Sequence, residues 1–126
     1  MRVADYIIER LFDEGAKHIF MVTGRGILFL SDAVARHNEI RGICVHHEQA
    51  GAFAATAYAQ CTENIGACLV STGCAGTNAI TGLLNAWQDA IPCVFVSGQN
   101  KLKETSRYSG IPLRTYGQQE ADIIGI

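Results

Sequence analysis

Apolar positions along the chain change period several times, and each change marks a new element. Residues 3–14 carry Val3, Ile7, Ile8 and Leu11 at helical spacing and stop at Gly15, which predicts an amphipathic helix. A short buried strand is expected over 18–22, a helix over 27–37 and a second strand over 40–45. Residues 49–61 are rich in alanine and read as a close-packed helix. A third strand over 66–70, a helix over 77–90 and a fourth strand over 92–96 follow. The continuous runs Ala67-Cys68-Leu69-Val70 and Cys93-Val94-Phe95-Val96 suit strands covered on both faces. Short β and α elements in alternation predict an α/β fold: a doubly wound, mainly parallel sheet with helices on both faces. From 97 to 119 the pattern turns polar and Gly-rich, as in a surface loop, with Lys101, Lys103, Arg107 and Arg114. Residues 120–126 begin a helical turn with neither a cap nor a closing strand, so the sheet is expected to be incomplete at its C-terminal end and the chain to be a truncated domain.

Composition narrows the function. The 126 residues suffice for one domain with a core, and 48% of them are apolar. A formal charge of -2 without any basic stripe argues against nucleic acid or a membrane surface as partner. The first ten residues carry Asp5 and Glu9, unlike a signal or transit peptide, and no run reaches the ~18 apolar residues of a spanning helix. A cytoplasmic protein is expected. The five cysteines, Cys44, Cys61, Cys68, Cys74 and Cys93, form no CxxC pair and match no zinc spacing. Cys44, Cys68 and Cys93 lie in apolar runs and are expected to act as small hydrophobes. No metal site is expected.

In a doubly wound sheet, ligands gather beyond the carboxyl ends of the strands. Residues 23–26, 46–49 and 71–78 follow strands and are therefore the segments of interest. Gly24-Arg25-Gly26 fails as a dinucleotide fingerprint, because the third glycine would fall at Phe29. The 71–78 stretch fails as a P-loop, since no Gly-Lys-Ser/Thr follows. Gly73 and Gly76, three apart at a strand-to-helix turn, allow close approach of a ligand to backbone, or simply form a tight turn. Glu48 falls near the first turn of the alanine-rich helix. There a carboxylate is favourable by roughly 0.3–1 kcal/mol whether or not it has a function. His46 and His47 can be read as a cap and a packed core residue.

Four stretches in order resemble the N-terminal, pyrimidine-binding domain of the acetolactate synthase/pyruvate decarboxylase group of thiamine-diphosphate enzymes. Ile19-Phe20-Met21-Val22-Thr23-Gly24 stands where that family has a Val-Phe-Gly-x-Pro-Gly turn. His47-Glu48-Gln49-Ala50-Gly51-Ala52 is similar to its His-Glu-Gln-x-Ala segment, and Gly73-Cys74-Ala75-Gly76-Thr77-Asn78 to its Gly-Pro-Gly-x-Thr-Asn loop. Trp87-Gln88-Asp89-Ala90-Ile91-Pro92 with Ser97-Gly98-Gln99 resembles the passage that ends in Ser-Gly-Gln. Met21, Thr23 and Cys74-Ala75 depart from the usual pattern and bear on pocket shape. With Lys101-Leu102-Lys103-Glu104-Thr105 and Leu113-Arg114 they look more like the acetolactate-synthase-like proteins of surface-polysaccharide gene clusters.

The resemblance implies a role for Glu48: a carboxyl group that shares a proton with N1′ of the cofactor's aminopyrimidine, so that its 4′-imino form can take the C2 proton. A 2-oxo acid such as pyruvate would then be decarboxylated, and the product either protonated or joined to a second carbonyl. Thr23, Gly24, Thr72, Gly73, Gly76 and Asn78 are implied to line the cofactor site. His47 and Gln119 are candidates on the substrate side, and Gln99 is a candidate by position. Diphosphate and Mg2+ belong, in that family, to another domain with a Gly-Asp-Gly segment, which this sequence lacks. The resemblance also implies a homodimer or homotetramer with the site between subunits, and it leaves FAD open. A small subunit of a two-subunit decarboxylase and a non-catalytic domain of the same fold are the alternatives.

Overall fold

The computed structural model describes residues 1–99 together with Lys101 and Lys103. Gln119, the 120–126 turn, and Arg107 and Arg114 of the polar segment lie outside the described residues. Helix α1 spans Val3–Asp13 and strand β1 His18–Met21. A 3-10 turn, Arg25–Ile27, leads into α2, Leu28–Arg36, and then β2, Arg41–Cys44. Helix α3 is Glu48–Thr62, strand β3 Gly66–Val70, helices α4 and α5 Cys74–Asn78 and Ile80–Gln88, and strand β4 Cys93–Ser97.

Local chemistry explains the boundaries. The Asp5 carboxylate accepts the Arg2 N–H at 3.1 Å, which satisfies an orphan donor at the start of α1. At its end Gly15 takes a positive φ of 98°. Gly15 N–H then donates to the Phe12 carbonyl (2.8 Å) and Ala16 N–H to the Leu11 carbonyl (2.9 Å), the paired bonds of a Schellman stop. Past α2, Nδ1 of His37 accepts the N–H groups of Glu39 (3.1 Å) and Ile40 (3.0 Å), turning the chain toward β2.

Among the described residues all strand pairs are parallel, in the order β2-β1-β3-β4. The chain builds outward from β1 to β2, then crosses to the other side for β3 and β4. That reversal makes a switch point between β1 and β3, where loops after the two strands diverge. Alternate side chains feed two cores. Ile19, Met21, Ala67 and Leu69 face α1 and α2 with Ile8, Leu11, Ile27 and Val34. Cys68, Val70, Phe20 and Phe95 face α3 with Ala52, Ala55 and Ala79. The doubly wound α/β sheet with helices on both faces is therefore observed.

Several details differ from the pattern-based expectation. Cys44 is exposed, not a core hydrophobe, because among the described residues β2 pairs only with β1 and lies at the sheet edge. β3 is buried along its length, but β4 is only half-buried, since among the described residues it pairs on one side alone. The 77–90 helix starts earlier and is broken at Ala79 into α4 and α5. On α5 the small residues, Gly82 and Ala86, face inward. Leu84 and Trp87 face outward, 51% and 83% exposed, while Ile80 and Leu83 are half-buried. The reason is close helix packing, for a Cβ on Gly82 would lie 2.4 Å from that of Ala52 on α3.

Candidate functional site

The loops at the carboxyl ends of the strands continue the sheet's ladders before diverging. Val45 N–H donates to the Met21 carbonyl (2.9 Å), Val22 N–H to Leu69 (3.3 Å) and Gly98 N–H to Val70 (2.9 Å). At the switch point the loops after β1, β3 and β4 are stitched to one another. Gly26 N–H donates to Oγ of Ser71 at 3.3 Å, and Oγ of Ser97 donates to the Ser71 carbonyl at 3.1 Å. A Cβ on Gly24 would sit 2.4 Å from Ser71 Oγ, and one on Gly98 would sit 2.4 Å from the Gly26 carbonyl oxygen. Glycine at 24 and 98 is thus required by close approach. Ser71 joins three loops, a role that sequence reasoning missed, because a serine after a strand carries no distinguishing pattern.

Glu48 is the first residue of α3. His47 caps that helix, with Nδ1 accepting the Gln49 N–H at 3.2 Å. Both His46 and His47 are exposed, so the reading of one of them as a packed core residue is corrected. Glu48 is half-buried on the carboxyl rim. From the facing end of α4, Nδ2 of Asn78 donates to its Oε2 at 2.9 Å. Among the described residues Oε1 has no hydrogen-bond partner. The turn that delivers Asn78 begins at Gly73, whose φ of 60° and ψ of -124° strongly favour glycine. Thr77 Oγ1 closes the short helix on the Cys74 carbonyl at 2.9 Å, and Gly76 is buried within it.

Of the sequence-based candidates, Glu48 and Asn78 are in direct contact, and Gly24 and Thr72 belong to the stitched loops around Ser71. Thr23 instead lines a groove between α2 and β2 with Leu28, Ser31 and Cys44. Gln99 is exposed after β4, and Gln119 lies outside the described residues. Beneath the site, burial, with Cys93 and Glu48 nearby, pushes the Cys68 thiol up to about 12, so it stays a neutral packing group. Cys93 is raised as well, chiefly by burial.

The family model for the N-terminal TPP binding domain of thiamine pyrophosphate enzymes matches residues 1–126. The chain belongs to this family.

As such a domain, it is similar to the acetolactate synthase large subunit of Haemophilus influenzae, at 41% identity over 76% of this chain and 17% of that protein. The acetolactate synthase isozyme 3 large subunit of Escherichia coli K12 is 38% identical over the same shares, 76% and 17%. The chloroplastic acetolactate synthase of Arabidopsis thaliana is 34% identical over 76% of this chain and 14% of its own. The chain therefore spans about a sixth of the length of the H. influenzae and E. coli relatives. No helix among the described residues is long and apolar enough to cross a membrane.

Proposed function

We propose that this TPP-binding domain supplies the pyrimidine half of the active site in a 2-oxo acid decarboxylase or carboligase of the acetolactate synthase kind. Glu48 is the activating residue in this reading. The observation that carries it is a half-buried carboxylate on the sheet's ligand-facing rim, with one oxygen held by Asn78. Bound thiamine diphosphate would supply the nucleophilic carbon and the electron sink for decarboxylation. Glu48 holds the proton that is shared with N1′ of the pyrimidine. A side chain able only to hydrogen-bond could not exchange that proton. Gly73 and Gly76 let backbone approach the ring, while Gly24 and Thr72 fix the floor beside it. His47, exposed at the head of α3, stands on the substrate side, and Thr23 is a more remote wall.

Pyruvate is the donor this reading favours, because the relatives are acetolactate synthases. Diphosphate and Mg2+ would be held by a separate domain, and the open rim at Glu48 would be closed by a second subunit in a homodimer or homotetramer. On this view the 126 residues alone are inactive. The test uses the complete gene product. Glu48→Gln is expected to leave the circular dichroism spectrum unchanged and to abolish C2 proton exchange of bound thiamine diphosphate, followed by NMR. Exchange at the wild-type rate would refute the assignment.

A further inference from the structure

We infer that Asn78 is a positioning residue for Glu48: its amide pins Oε2 and so selects Oε1 as the oxygen that trades a proton with the ring. The inference rests on the role of Glu48 proposed above and adds a second residue to it. The bond of 2.9 Å joins residues thirty apart in sequence, one at the start of α3 and the other at the end of α4. Its two ends are delivered by buried scaffold. Gly76 and Ala79, on either side of Asn78, are both buried. Ala79 packs in the same cluster as Ala52 and Ala55 of α3, so the two segments are fixed with respect to each other.

Two physical consequences follow. A glutamate at the first position of a helix has several rotatable bonds, and a restraint on one oxygen removes much of the orientational cost of meeting a ring nitrogen. An N–H donated to a carboxylate is also stronger to the anion than to the neutral acid. The Asn78 amide therefore favours the arrangement in which the proton has left Glu48 for the ring. Aspartate at this position would reverse both effects, because it removes the donor and places a second carboxylate against the first.

The complete gene product tests this through Glu48→Gln, Asn78→Ala, Asn78→Asp and the double variant Glu48→Gln/Asn78→Ala. Two quantities are measured: C2 exchange of bound thiamine diphosphate by NMR, and its Kd by calorimetry. Asn78→Ala is expected to slow exchange about tenfold or more while Kd stays within about threefold. Asn78→Asp, nearly isosteric and on an exposed residue, is expected to be slower still and to recover as pH falls and the carboxylate pair takes up a proton. In the Glu48→Gln background, where exchange is already lost, Asn78→Ala should leave the Kd within about threefold, and a larger loss of affinity there would make Asn78 a binding residue and overturn the inference. Wild-type exchange in Asn78→Ala, with exchange abolished in Glu48→Gln, overturns the positioning role and leaves the Glu48 assignment standing. Wild-type exchange in Glu48→Gln overturns both. A loss of cofactor affinity that matches the loss of exchange makes Asn78 a binding residue and also overturns the inference.

Discussion

Gly26 shows how much a single residue contributes to the shape of the rim. A Cβ there would lie 2.1 Å from Cγ2 of Thr72 and 3.2 Å from its backbone nitrogen. Gly26→Ala is expected to cost about 1–3 kcal/mol of stability, the usual range for overpacking. Thr72→Ser in the same chain should return part of that, since it removes the methyl group that collides. Urea unfolding of the three chains measures both effects. At this scale the sequence was informative about identity and silent about partnership. Glu48 stood out through its place in the His47-Glu48-Gln49 stretch before an alanine-rich helix, since a carboxylate at a helix start is favourable with or without a function. Its bond to Asn78 could not be read, because it depends on how α4 bends at Ala79.

Elements were legible wherever burial follows pattern. The 66–70 strand and the helix around Glu48 emerge close to their expected bounds, for an unbroken apolar run and an alanine-rich run each have one good solution. The reading fell short on the 77–90 helix, expected as one element but broken at Ala79 into α4 and α5. Contact with α3 is so close that only Gly82 and Ala86 fit beneath, leaving Ile80, Leu83, Leu84 and Trp87 to line a surface concavity. This inverts the usual ranking of helix substitutions. Gly82→Ala should gain about 1 kcal/mol of helix propensity. Its Cβ, however, would stand 2.4 Å from the Ala52 Cβ and 3.1 Å from its carbonyl carbon, which cannot yield without moving α3. The net expectation is a loss of about 1–2 kcal/mol. Trp87→Ala, on a residue 83% exposed, should change stability by no more than about 0.5 kcal/mol. Thermal melts that rank the two the other way would show that the α3–α5 contact is looser than described.

For the whole molecule, alternation of elements predicted the class of fold, but strand order is a property of the assembled sheet. The order β2-β1-β3-β4 makes β3 central, so residues that local pattern treats alike acquire different environments. Cys44, Cys68 and Cys93 all sit in apolar runs, yet they are exposed, buried and half-buried in turn. Burial at the centre of the sheet, with Cys93 and Glu48 nearby, gives Cys68 its raised value of about 12, against 9.0 for an ordinary thiol. Linkage turns this into a property of the domain's stability. Below about pH 9 the thiol is protonated in both folded and unfolded chains and contributes no pH dependence. Above that, the unfolded chain releases the proton while the folded one retains it, so stability falls as pH rises toward 12, by up to about 1.4 kcal/mol per pH unit. Cys68→Ala is therefore expected to lose packing at pH 7 but to show a shallower decline between pH 9 and 11. The difference in melting temperature between the two chains should narrow across that interval. An equally steep decline in Cys68→Ala would mean that the alkaline limb comes from elsewhere and that burial at the centre of the sheet does not hold the Cys68 proton.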